Sequence, residues 1–249
     1  MPEIADSARA TYDVCSVPIT ATDATGAATR IVQDAVEGRS CQVHLCNAFT
    51  LSLVDQDDEL RVALAEADLN LADGVPVALL GRKEGMRSPV RGSELVRRVA
   101  TLGSTEVRHY LYGGKDGVAE QMAEQLRRQV PGAQVVGTES PPFTPITDEH
   151  LDGLVRRVRD SDATVLWIGL GTPRQDYLVH RLADRLPMPI VPVGAAFDFW
   201  SGAVKEAPRW VQGTGLEWLY RLASEPRRLW RRYLIGNPRF LLSAWRHRR

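Results

Sequence analysis

The chain has only three cysteines, only three lysines and no net charge. Cys15, Cys41 and Cys46 are odd in number and lack metal-ligand spacing. That excludes a disulfide framework and leaves them as small buried hydrophobes in a reducing compartment. Long hydrophobic runs are missing too: nothing approaches the roughly 18 continuous apolar residues that a spanning helix needs. The N-terminal MPEIADSARATYDVC carries acids where a signal peptide has bases, and it has no apolar centre, so cytoplasmic residence is expected. Neither a P-loop nor a GxGxxG fingerprint is present, which argues against a Rossmann-type oxidoreductase. No Asp-x-Asp pair reads as a metal site; Asp55-Gln56-Asp57-Asp58 falls in a polar connection and reads as solvated. Lysine is scarce because arginine replaces it, a bias that says little about function.

Zero net charge conceals an asymmetry. Residues 203–249 hold ten Arg and one Lys against three Glu, a local charge of +8, so the preceding residues carry −8. In this tail Trp210, Trp218, Trp230 and Trp245 alternate with arginine pairs such as Arg227-Arg228 and Arg231-Arg232. Arginine presents a fork of donors suited to phosphates, and tryptophan settles at bilayer interfaces. The tail therefore reads as a segment that lies on a membrane or grips a diphosphate.

The body, residues 1–202, alternates short apolar runs with amphipathic helical patterns. Strands are expected at Tyr12–Val17, Gln42–Cys46, Leu69–Leu71, His109–Tyr112, Gln134–Gly137, Thr164–Ile168 and Ile190–Val193. Helices are expected at Thr22–Glu37, Asp58–Glu66, Gly92–Leu102, Gly117–Gln129, Asp148–Arg159 and Arg174–Arg185. This alternation implies an α/β fold, an open, mostly parallel, Rossmann-like sheet with helices on both faces. Residues 203–249 form a helical appendage over Pro208–Gln212, Gly215–Ser224, Pro226–Ile235 and Pro238–Arg248. Removing it is expected to leave a folded body with little activity.

Ligands on such sheets bind beyond the carboxyl ends of the strands, and several ends here are unusual. Asn47 follows a strand and is a good helix cap as well as a ligand contact. Asp73, in Ala72-Asp73-Gly74, precedes an apolar run, so general base and helix cap are equally good readings. Gly113-Gly114 is a glycine turn whose backbone donors suit a phosphate, or a plain turn. Gly171 and Gln175, in Gly169-Leu170-Gly171-Thr172-Pro173-Arg174-Gln175-Asp176, add polar side chains that a turn does not need. Arg91 stands beside a helix N-terminus, a poor place for a cation unless an anion is near. Asp198, between Phe197 and Phe199, reads as pinning the turn into the tail.

In this order the motifs resemble the WecG/TagA/CpsF glycosyltransferase family. The resemblance runs from Asp13 to Phe240 and rests most on Ala72-Asp73-Gly74, Gly169 to Gln175, Phe197-Asp198-Phe199, Gly215 to Leu222 and Glu225 to Tyr233. It implies inverting transfer, without metal or other cofactor, from a UDP-sugar. The sugar resembles N-acetylmannosamine, and the acceptor is a polyprenyl-diphosphate-linked amino sugar used for bacterial surface polysaccharide or teichoic acid. By the same resemblance Asp73 is the general base, and Asn47, Gln175 and Arg91 lie at the donor. Arg221, Arg228 and Arg231 meet the acceptor diphosphate at the inner face of the cytoplasmic membrane. Leu45 stands where members have Thr, Pro76 replaces a second Gly, and Asp176 replaces Glu, which leaves the donor sugar open. A nucleic-acid-binding scaffold is the competing reading of an Arg/Trp tail. The acidic body and polar strand ends argue against it. Self-association is left open.

Overall fold

The computed structural model describes residues 10–142, 144–208, 210–211 and 214–247, the side chain of Arg228 lying outside what is described. A hairpin of β1 (Thr11–Val14) and β2 (Val17–Thr20) comes first. There follow α1 (Ala24–Glu37), β3 (Cys41–Cys46), α2 (Ala48–Leu53), α3 (Asp58–Ala65) and β4 (Leu69–Ala72). Next are α4 (Val75–Leu80), α5 (Gly92–Gly103), β5 (Arg108–Gly113), α6 (Val118–Gln129) and β6 (Gln134–Glu139). The body closes with α7 (Asp148–Asp160), β7 (Val165–Gly169), α8 (Arg174–Ala183), β8 (Pro189–Pro192) and α9 (Ala196–Trp200). The tail forms α10 (Glu217–Ser224), α11 (Pro226–Leu234) and α12 (Gly236–Arg246).

The eight strands make one sheet in the order β1-β2-β4-β3-β8-β7-β5-β6, parallel at every pairing but β1 with β2. Strand β7 shows how the layers form. Val165 and Trp167 point into a core with Ile31 of α1, Leu95 of α5 and Met122 of α6. Leu166 and Ile168 point the other way, onto Leu154 of α7 and Leu178 of α8. Successive side chains of a strand alternate faces, so one apolar run fills two cores. The α/β fold with helices on both faces is the expected one.

Three details differ from expectation. The single strand over Tyr12–Val17 is a hairpin, because Cys15 and Ser16 both take positive φ, 54° and 62°. Turns with two such residues match the twist of paired strands, and no Asn-Gly advertised this one. Helices α4 and α9 were not expected, and α2, implied by Asn47 as a cap, had no bounds; each is six residues or fewer and directly follows a strand. Of Pro208–Gln212, Trp210 and Val211 lie in a turn, while Arg209 and Gln212 lie outside the described residues.

The tail is folded onto the body. Phe240 of α12 is buried in the cluster that holds Tyr12, Val14, Leu51 and Val77, and Gly236 lies against Phe49 and Ser52 of α2. Cutting the chain near Ala203 therefore uncovers a core, and an intact truncated body is no longer the expected result.

In the sheet interior, Trp167 Nε1 donates to His109 Nδ1 at 3.0 Å across β5 and β7. The proton of the neutral ring is then on Nε2, which is buried without a partner. Burial lowers the His109 pKa from 6.5 to about 4. With the folded pKa below the unfolded one, stability is full above the ordinary value and drains as pH falls toward the folded value. The loss is about 1.4 kcal/mol per pH unit, so about 2 kcal/mol between pH 7 and pH 5. Urea unfolding at those two pH values should show His109→Gln losing less than the parent by that amount.

Candidate active site

Adjacent strands β4, β3, β8, β7 and β5 end in Asp73, Asn47, the Gly194 turn, the Gly169–Thr172 loop and Gly114. Strand order alone thus aligns, along one rim of the sheet, residues far apart in sequence.

Asn47 serves both of its readings. Its Oδ1 accepts from the backbone N–H groups of Phe49 and Thr50 at 3.1 and 3.2 Å, capping α2. With the carbonyl so engaged, the amide NH2 must face the other way, and it donates to Asp73 Oδ2 at 3.3 Å. Asp73 is placed by its backbone N–H, which donates to Cys46 O at 3.0 Å, and by Gly74, whose φ of 102° turns the chain into α4. Burial raises the Asp73 pKa above the ordinary carboxylate value; Glu217 adds to this. The Asn47 hydrogen bond and the charges of Arg232 and Arg221 oppose it. A shielded carboxylate with that balance is suited to accepting a proton.

Gln175 is almost wholly buried, and its Oε1 accepts from Gly171 N at 3.0 Å. It shapes the loop after β7, and both Gln175 and Gly171, the latter at φ 77°, line the cavity at Asp73. The next residue, Asp176, reaches the opposite way and accepts from His44 Nδ1 at 2.9 Å, both side chains being fully buried. His44 Nε2 in turn takes the Gln42 amide at 3.0 Å, which assigns the proton to Nδ1. Gln42 and His44 share one side of an apolar strand, and that alternation was the overlooked sign of this brace between β3 and α8.

The glycine turn after β5 divides its two residues. Gly113 is buried, and a Cβ there would lie 2.5 Å from the Gly169 backbone, so glycine lets two strand ends meet. Gly114 reaches the cavity, but its N–H already donates to Gly169 O at 3.0 Å and is not a phosphate donor.

The tail supplies the cations, though not on the single face that an unbroken helix would make. Helix α10 ends at Ser224 and α11 begins at Pro226. Arg221 stacks over Phe199 at 5.3 Å, with Nε and Nη2 buried and without hydrogen-bond partners. On α11, Leu229 is buried, and Arg232, three residues on, lies over Phe49 at 5.0 Å beside Asp73. Arg231 covers Trp230 at 5.2 Å and lines only the outer cavity; the Arg228 side chain lies outside the described residues. Arg91 is held by a second tail residue: its Nε and Nη2 donate to Glu217 Oε2 and Oε1 at 3.1 and 2.6 Å. Arg232 and Glu217 were not singled out in the sequence as site residues.

These groups enclose a cavity of about 140 Å³ at Asp73 and, sharing Gly171, Gly194, Arg221 and Arg232 with it, a larger one of about 1100 Å³. The larger cavity adds Gly114, Lys115, Asp198, Arg231 and Arg239. Among the described residues no cluster of three His, Cys, Asp or Glu is placed to hold a metal ion. The arrangement sets one shielded carboxylate in a cavity that shares Arg221 and Arg232 with the larger, cation-lined chamber.

A family model described as the Glycosyl transferase WecG/TagA/CpsF family matches residues 12–249, nearly the entire chain. The match takes in both the strand-end loops and the basic tail that meet at Asp73, and the chain belongs to this family of glycosyltransferases.

Proposed function

We propose that this glycosyltransferase of surface polysaccharide synthesis moves an N-acetylmannosamine-like sugar from UDP to a polyprenyl-diphosphate-linked amino sugar, with inversion and without a metal. The observation that carries the reading is the convergence of Asp73 with Arg221 and Arg232 on one cavity. The UDP-sugar lies along the chamber of Gly114, Lys115 and the tail arginines, with its anomeric carbon toward Asp73. Asp73 takes the proton of the acceptor hydroxyl, whose oxygen attacks the anomeric carbon from the face opposite UDP. The bond to UDP breaks with its electron pair on the diphosphate, and the two guanidinium groups meet that charge. Arg91, tied to Glu217, holds α10 against the site.

The tail also supports a place at the inner membrane face. Helix α12 buries Phe240 and Ser243 against the body yet exposes Leu241, Leu242 and Trp245, and Trp210, Leu216, Leu219 and Leu234 are exposed as well. Arginines between such side chains add about 1 kcal/mol each near an anionic surface. Among the described residues no helix is long and apolar enough to cross a membrane.

Incubation with a panel of UDP-sugars and a short-chain polyprenyl-diphosphate-GlcNAc, read by mass spectrometry of the lipid, tests the proposal. A mass gain of one sugar is expected with one donor. UDP binding without any gain would replace the acceptor, and absence of both would overturn the reading.

A further inference from the structure

Asp73 also lines a third cavity, of about 170 Å³, which adds aromatic walls. The chamber described above is walled by glycine turns and cations. This one is walled by Trp218 of α10, Tyr233 of α11, Asn237 of α12, and Val75 and Pro76 at the start of α4, with Glu217 alongside. Trp218 and Tyr233 form a tilted aromatic pair, ring centroids 5.7 Å apart at 53°. Both are half-buried, so part of each ring faces the opening.

We infer that this cavity is the acceptor-sugar subsite, with Trp218 and Tyr233 as its platform. The inference rests on the transfer reading and assigns its second substrate. A sugar ring presents C–H groups on its faces and hydroxyls on its edge. Aromatic rings match the first, and the Asn237 amide and Glu217 carboxylate match the second. Inversion adds a geometric reason, since the acceptor must arrive on the side away from the leaving group. The cavity of about 140 Å³ and this one share Asn47, Asp73, Glu217, Arg221 and Arg232 but open between different walls, Gly171 and Gly194 in the first and Pro76, Trp218 and Tyr233 in the second, which provides such an approach. Arg221 and Arg232 line this cavity too, within reach of a diphosphate attached to the acceptor sugar. Exposed apolar side chains suited to a lipid tail stand on the same elements as the cavity's walls. Gly215 abuts Val75, Leu216 and Leu219 are 55% and 50% exposed, and Leu79 is exposed one turn beyond Val75 on α4.

The test uses the full chain with UDP-N-acetylmannosamine and short-chain polyprenyl-diphosphate-GlcNAc. It measures acceptor KM, kcat and, by calorimetry, UDP affinity. Trp218→Ala should raise acceptor KM about tenfold or more while UDP affinity stays within about twofold, and Trp218→Phe should recover most of the loss. Val75→Phe fills the same cavity from the body side and leaves Trp218 and Tyr233 unaltered. It should raise acceptor KM likewise, and because no tail residue is altered the test stays valid if Trp218→Ala misfolds. An unchanged acceptor KM in the folded variants would overturn the assignment. So would a loss of UDP affinity equal to the rise in KM, which would give the cavity to the donor. If the parent protein binds no UDP and transfers no sugar, the transfer reading itself fails, a result distinct from either.

Discussion

Asp73→Asn should lower sugar transfer about a hundredfold to ten-thousandfold, the usual range for a positioned general base, while leaving UDP affinity unchanged. The substitution is nearly isosteric, and the amide oxygen can still accept from the Asn47 NH2 that now reaches Asp73 Oδ2. What disappears is the ability to take a proton. As the proposed base, the same carboxylate should set the pH profile of the parent. Its pKa is raised, chiefly by burial, and it works only when ionised. Rate should therefore fall as pH drops through that raised value, so the acid limb lies above the ordinary carboxylate range. Stability runs in the opposite sense. A carboxylic acid whose folded pKa exceeds its unfolded one contributes stability at low pH and loses it as pH rises through the folded value. At neutral pH the ionised Asp73 thus costs stability, and Asp73→Asn should melt at a higher temperature than the parent. Transfer kinetics and thermal melts on one preparation check both halves. Near-parental transfer would remove Asp73 from the role of base, and an unchanged melting temperature would remove the strain attributed to its burial.

Sequence carried the layered sheet and its rim because both rest on local signals. Apolar runs bounded by glycines mark parallel strands, and Asn47, Asp73, Gly114 and Gly171 stand where those runs stop. Features set by tertiary packing were harder to see. Helices α2, α4 and α9 are too short to display a helical period, yet they carry the residues after Asn47, Gly74 and Gly194. The Cys15-Ser16 turn uses two side chains in a conformation that sequence normally signals with Asn or Gly. Glu217 gave no local sign of its role, because its partner Arg91 lies 126 residues away and nothing nearby in sequence pairs them. Arg231 and Arg232 are neighbours of identical type, and only the burial of Leu229 decides which faces Asp73.

That last distinction gives the second large effect. Arg232→Ala should reduce kcat about a hundredfold to a thousandfold, comparable to losing one preorganised donor from a developing anion. Arg221→Ala should do the same, since its Nε and Nη2 are buried at the cavity with no partner to hold them elsewhere. Arg231→Ala removes a cation that rests on Trp230 at the outer chamber, and its cost should be several-fold at most. The pH profile separates electrostatics from mere folding damage. Arg232 and Arg221 lower the Asp73 pKa, so removing either should move the acid limb to higher pH. Glu217 raises that pKa, so Glu217→Gln should move the limb to lower pH, even though it also releases Arg91. Opposite displacements from oppositely charged neighbours are what a base poised among them must show. Equal losses for Arg231 and Arg232, with the limb fixed, would mean that the tail acts only by covering the site. The steep ranking expected here follows from position. A guanidinium stacked on Phe49 or Phe199 is held at the reacting centre before substrate arrives, whereas one stacked on Trp230 must leave its ring to take part.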